Sequence, residues 1–267
     1  MHRPHSTYHH SKSGFTLLEV LIVLAIMLIL MAGIFAQVYK LQQVYKTEET
    51  KVDSTAESRN LLDEITRELH QAGYPGDNLF NPNALAVPAV NDARVAVGLV
   101  RVSPSELWFE GDIDNDGVVD VVDYKLMDSN GNPVAGGSTC PCTLERSQLR
   151  KQDAAPLAQP APVYVSGLSN VLNSAGVGAA GASLALTGSS HGIANDVAYA
   201  AYKTPSVFTA LDQNGNPVAM PVDLNNAVAL ARVKSIIVTV NTLTLSADPS
   251  TQMRIPSTVT VTAKINN

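Results

Sequence analysis

Hydrophobic and polar positions divide the chain into three stretches. From Phe15 to Ala36 the run is apolar except for one hydroxyl, Thr16, and one acid, Glu19. As a helix rising ~1.5 Å per residue, this stretch spans roughly 33 Å, enough to cross a bilayer. Beyond Ala36, no Gly or Pro appears between Gly33 and Gly73. Apolar residues recur there at Val38, Leu41, Val44/Tyr45, Val52, Ala56, Leu62, Ile65, Leu69 and Ala72, a spacing of three and four. The pattern predicts an amphipathic continuation of the same helix, stopped by Gly73 with Pro75 just beyond.

From Asn78 onward the period changes to two, with turn residues between the runs. Strands are expected at Arg94–Val102 and Glu106–Glu110, and a closing antiparallel hairpin from Ala231–Leu245 and Thr258–Ile265 around Asp248-Pro249-Ser250. Two turns nearly copy each other, Asp128–Pro133 and Asp212–Pro217, both carrying Asn-Gly. Gln152–Pro162 and the Gly/Ala/Ser-rich Ser166–Gly192 read as surface loops, the second with a short strand at Leu184–Leu186. The expected fold is α+β: a long N-terminal helical stalk, half membrane-spanning and half amphipathic, carrying an antiparallel β-rich headpiece. The domain boundaries that follow are 1–14 as leader, 15–36 as membrane helix, 37–73 as amphipathic helix and 74–267 as headpiece.

Glu19 is the anomaly in the apolar run. A carboxylate inside a membrane helix costs about 2.5–3.5 kcal/mol on insertion scales and calls for a partner. If the chain were cut after Gly14, the new α-amine of Phe15 would be a cation at the same depth. The Glu19 of a neighbouring subunit could pair with it, making each subunit a socket for the next. A secretory signal would need a shorter apolar core without an acid, and a plain anchor explains neither Gly14 nor Glu19. The stretch Gly14-Phe15-Thr16-Leu17-Leu18-Glu19 and its apolar helix resemble the type IV prepilin family. That resemblance implies cleavage between Gly14 and Phe15 by a prepilin peptidase, N-methylation of Phe15, and Glu19 as the assembly acid. The ending Ile65 to Tyr74, with Arg67 and Ala72-Gly73-Tyr74, looks like the helix exit of PilW-like minor pilins.

Net charge is −6, and loss of Met1–Gly14 removes Arg3 and Lys12 and no acid, leaving −8. Such a surface is poor for general nucleic-acid binding, and no nucleic-acid partner is expected. Arg3 and Lys12 agree with a cytoplasmic N-terminus. The leader's histidines are expected to leave with it.

Asp112, Asp114 and Asp116 fall at positions one, three and five of a loop bent by Gly117 at six, with the Val118 carbonyl at seven, Asp120 at nine and Asp123 at twelve. A hard cation such as Ca²⁺ takes six to eight oxygens, which this spacing can supply. The pattern resembles the loops of EF-hands and, with Asp last, of dockerin repeats. Its flanks suit a β-hairpin rather than helices, so a calcium loop at a hairpin tip is expected; the alternative is a solvated acidic turn.

Cys140-Pro141-Cys142 holds the two cysteines. A disulfide, free or intermolecular thiols, and a redox or metal role all remain open. Gly188-Ser189-Ser190-His191-Gly192 matches a nucleophile elbow, but no His follows His191 to act as base, so no enzyme is expected. The resemblance implies a minor pilin that initiates, caps or regulates type IV pilus assembly with other minor and major pilin subunits. It would start as a single-pass inner-membrane precursor and end in the pilus. A calcium-dependent tip adhesin and a type II secretion pseudopilin are the alternatives.

Overall fold

The computed structural model describes residues 14–76, 90–134, 139–173, 183–184, 196–248, 251 and 253–265. Helix α1 runs over Leu17–Gln71. The chain divides into two compact units, Met1–Lys46 and Thr47–Asn267. In the first, the helical side chains from Leu17 to Gln42 are all exposed. The helix contains an 18-residue window of mean hydropathy 2.9, none of it buried, and is long and apolar enough to cross a membrane. So continuous an apolar surface needs lipid or another apolar partner around it.

The second unit begins inside the helix. The stripe Leu61, Leu62, Ile65, Leu69 and Ala72 is buried in the main hydrophobic core, whereas Val38, Leu41, Val44, Tyr45 and Val52 are exposed. The compact headpiece therefore starts at Thr47 rather than at Tyr74, because the last turns of α1 supply part of its core. Each fully buried Leu or Ile on that stripe contributes on the order of 1.5–3 kcal/mol.

The strands that receive it are β1 (Leu99–Ser103), β2 (Glu106–Gly111), β3 (Asp120–Met127), β4 (Thr139–Cys140), β5 (Cys142–Arg150), β6 (Val165–Val171) and β7 (Ser183–Leu184). A helix α2 (Asp196–Lys203), strands β8 (Phe208–Leu211) and β9 (Val222–Asp223), helix α3 (Ala227–Ala231), and strands β10 (Ser235–Ala247) and β11 (Arg254–Lys264) complete the order. Among the described residues, nine strands form one sheet in the order β11-β10-β6-β5-β3-β2-β1-β9, with β8 also on β10. The pairs within it are antiparallel. β4 and β7 form a separate parallel pair. Period-two alternation sends Leu107, Phe109, Val122, Tyr124, Leu126, Leu144, Ile236, Val238 and Val240 into the core.

Two differences from the expected strands have local causes. β1 starts at Leu99 instead of Arg94 because the preceding segment folds over a buried ion pair. Lys151 Nζ donates to Glu110 Oε2 at 2.6 Å and to the carbonyls of Val90 (2.8 Å) and Val95 (2.6 Å). β6 falls where a loop was expected, since its small residues fit a close approach: a Cβ at Gly167 would lie 2.9 Å from the Leu144 carbonyl oxygen and 3.7 Å from Leu61 Cδ1. β7 covers Ser183–Leu184, while residues 185–186 of the expected short strand lie outside the described residues. The hairpin of β10 and β11 pairs from Ser235↔Lys264 to Ala247↔Arg254. In both copied turns the Asp side chain accepts from the amides two and four residues on, Asp128 from Asn130 and Asn132, Asp212 from Asn214 and Asn216. The positive φ falls on Gly131 and Gly215.

Among the described residues, polar contacts join helix and sheet at several places, two of them at the end of α1, and the Ser54 hydroxyl donates to Thr242 Oγ1 at 3.1 Å. Glu68, 1% exposed, accepts from Arg146 Nη2 at 2.5 Å and from the Tyr124 hydroxyl at 2.7 Å. The helix exit then pairs with the end of β2: Ala72 bridges Gly111, the Gly73 amide donates to the Glu110 carbonyl, and the Asp112 amide donates to the Tyr74 carbonyl, both at 2.8 Å. A Cβ on Gly111 would lie 2.6 Å from the Gln71 carbonyl oxygen. Gly111→Ala is therefore expected to lower the unfolding free energy of the headpiece by about 1–3 kcal/mol, measured by denaturant unfolding of the full chain in detergent.

Candidate functional site

At the start of α1 the orphan amides of a helix need acceptors, and lipid offers none. Thr16 and Glu19 supply two of them reciprocally. The Thr16 amide donates to Glu19 Oε2 at 3.0 Å, the Thr16 hydroxyl donates to the same oxygen at 3.1 Å, and the Glu19 amide donates to Thr16 Oγ1 at 3.3 Å. This is a capping box with Thr16 as the cap residue. Its signature, Thr-x-x-Glu, stands in the sequence at Thr16 and Glu19. Gly14 and Phe15 precede the helix in an exposed, non-helical segment, where a peptidase can reach the bond between them. A carboxylate has about four lone-pair sites, so capping its own helix leaves Glu19 capacity for a further donor.

Residues 9–35 match the prokaryotic N-terminal methylation motif. No curated protein and no solved structure matches the chain. A signal of this class implies processing by a prepilin peptidase and assembly with other pilins, and it supports a pilin or pseudopilin role. With the exposed apolar helix, it fits a precursor anchored in the inner membrane.

The second candidate site is the tip between β2 and β3. The carboxylates of Asp112, Asp114 and Asp116 each bring an oxygen within 4.8 Å of the others. The loop folds onto its own acids: Asp112 Oδ2 accepts from the Gly117 amide at 3.1 Å, Asp114 Oδ1 from the Asp116 amide at 3.2 Å, and Asp116 Oδ1 from the Val118 amide at 2.8 Å. Asn115 (φ 59°) and Gly117 (φ 83°) take the left-handed conformation that turns the chain. Asp114 and Asp116 are exposed, whereas Asp112 is 5% exposed and its Oδ1 has no hydrogen-bond partner.

Asp120 and Asp123 are placed differently from the loop numbering. Asp120 begins β3 and accepts from Gln148 Nε2 at 2.7 Å. Burial pushes its carboxyl up, and the nearby charges of Asp114, Asp116 and Asp112 add to the rise. Asp123 belongs to another place altogether. A strand after the loop, in place of a helix, puts it three residues on and therefore on the opposite sheet face from Asp120. There it pairs across the ladder with Trp108 and accepts from the Tyr164 hydroxyl at 2.5 Å. It lines a partly open cavity of ≈140 Å³ with Arg101, Glu106, Trp108, Lys125 and Tyr164. Its place among the expected metal ligands is thus corrected.

Cys140 and Cys142 are joined by a disulfide, Cα atoms 4.4 Å apart, and both are buried where β4 gives way to β5. The nucleophile-elbow match at residues 188–192 and the leader before Gly14 lie outside the described residues.

Burial raises the Asp123 carboxyl from its ordinary value to about 6, against the opposing Tyr164 bond, with Glu106 raising it further and Lys125 and Arg101 lowering it. The folded state thus holds the proton more tightly than the unfolded chain, and this residue's contribution to stability falls as pH rises from about 4 through about 6. The loss amounts to on the order of 3 kcal/mol at pH 8. Asp123→Asn keeps an acceptor for Tyr164 without the charge. It is expected to raise the melting temperature at pH 8, with the gain shrinking toward zero near pH 4, as read by thermal unfolding across pH.

Proposed function

We propose that the protein is a PilW-like minor pilin that takes part in starting, capping or regulating a type IV pilus. The observation that carries this reading is Glu19 in an otherwise apolar helix, five residues after Gly14 and inside the matched segment 9–35. In the membrane, Glu19 caps its own helix through Thr16. After cleavage, the Phe15 amine of a neighbouring subunit becomes a further donor, and a charge pair forms where neither charge is stable alone. The apolar face of α1 then leaves lipid for a bundle of like helices, exchanging one apolar surrounding for another. The headpiece, held on the last turns of the helix, meets other pilin subunits outside the membrane. Its role is assembly, not catalysis.

The helix exit supports the minor-pilin assignment. Arg67, Ala72, Gly73 and Tyr74 resemble the PilW-like ending, and Gly73 takes φ 82° there, which favours glycine. The apolar helix also carries no Pro, unlike many major pilins.

Intact mass of the protein from cells with and without their prepilin peptidase is the decisive measurement. A peptidase-dependent product that starts at Phe15 and carries one added methyl is expected. Glu19→Val should still be cut before Phe15, its product differing from wild type only by the mass of the substitution, while disappearing from the sheared fibre fraction. An uncut chain, or one cut near Ala36, would leave only an anchored or secreted β domain. Deletion of the gene separates the finer readings: loss of pili is expected, whereas normal pili with loss of secreted enzymes would make the protein a type II secretion pseudopilin.

A further inference from the structure

We propose that Asp112, Asp114 and Asp116 bind Ca²⁺ at the β2–β3 tip, and that the ion locks this hairpin onto the exit of α1. The three carboxylates bring oxygens within 4.8 Å of one another, a spacing that suits a shared hard cation and is unfavourable for three like charges without one. Clustered acid alone would also describe a solvated turn. The deciding feature is Asp112, which is 5% exposed yet leaves Oδ1 without a hydrogen-bond partner. A buried carboxylate oxygen is costly unless something positive or a donor meets it. Its two companions in the cluster are exposed.

Calcium fits this donor set better than magnesium. A flexible hairpin tip with carboxylates and water suits a large ion of variable geometry, whereas Mg²⁺ demands a near-ideal octahedron and dehydrates reluctantly. Thiol or imidazole ligands, which would favour zinc, are not among the three residues.

The site sits at a structural joint. The Asp112 amide donates to the Tyr74 carbonyl and the adjoining Gly73 amide donates to the Glu110 carbonyl, so the first ligand residue is itself bonded to the helix exit. A second connection runs through side chains: Asp120 is bonded to Gln148, Gln148 to Arg146, and Arg146 to Glu68 on α1. An ion that fixes Asp112 therefore restrains the backbone contact between the hairpin and the helix exit.

The test uses the full chain in detergent, stripped with chelator and titrated with CaCl₂ or MgCl₂ by calorimetry. The charge is removed by the double variant D114N/D116N. Asn retains the side-chain oxygen that accepts from the Asp116 and Val118 amides, and both residues are exposed, so the loop keeps its turns. Saturable binding of one Ca²⁺ is expected with a midpoint of about 0.1–1 mM, the range of extracellular calcium modules, and at least about tenfold weaker in the double variant. Hydrogen exchange of the segment from Gln71 to Tyr74 and of the Asp112 amide should slow on adding Ca²⁺ to the wild type only. No saturable binding below about 5 mM, equal response to Mg²⁺, or unchanged binding by D114N/D116N overturns the site. Binding with no slowing at Gly73 and Asp112 overturns the lock.

Discussion

The headpiece depends on one buried carboxylate. Glu68 lies on the apolar stripe of α1, between Ile65 and Leu69, and is nearly inaccessible to water. Arg146 and Tyr124, from two adjacent strands, meet its two oxygens. Burial and the Glu68 charge in turn push the Tyr124 hydroxyl far above its ordinary range, so it stays a donor at any physiological pH. Removing one partner from such a group would strand a charge at a cost of about 3–5 kcal/mol. An apolar stripe alone would let the helix slide or rotate over the sheet. The polar lock specifies one register.

That register has consequences at a distance. With the helix fixed, Gln71 falls against Gly111, where a side chain would not fit, and the chain leaves through Gly73 and Tyr74 in hydrogen-bonded contact with the end of β2. The aspartate hairpin begins at the next residue. Helix exit and acidic tip are thus parts of one hydrogen-bonded joint. The buried Lys151–Glu110 pair holds the segment before β1 over the same strand end.

The other half of α1 obeys a different solvent. Lipid makes every exposed amide expensive, and the Thr16–Glu19 box satisfies two amides at the helix start with the only two polar side chains between Phe15 and Ala36. The same carboxylate is the group that an assembling neighbour would seek. A residue that would be a defect in a plain anchor is therefore both a cap and, on the proposed reading, a socket.

The N-terminal signal, the long helix and the β-rich remainder were legible in the sequence, because each rests on local chemistry: unbroken apolarity, a three-to-four period, a period of two, and turn residues at set positions. The three loop acids that come together were legible too, since a short Asp-x-Asp-x-Asp-Gly segment dictates its own turns. The chain alone did not determine where Asp123 points, because that depends on β3 being a strand and on which face Tyr164 covers. Nor did it reveal β6, whose small residues look like a loop until Leu61 and the Leu144 carbonyl are seen pressing on Gly167. Glu68, Arg146 and Tyr124 are far apart in the chain, as are Lys151 and Glu110. Only packing brought those charges together, and burial, which no sequence prints, is what makes them strong.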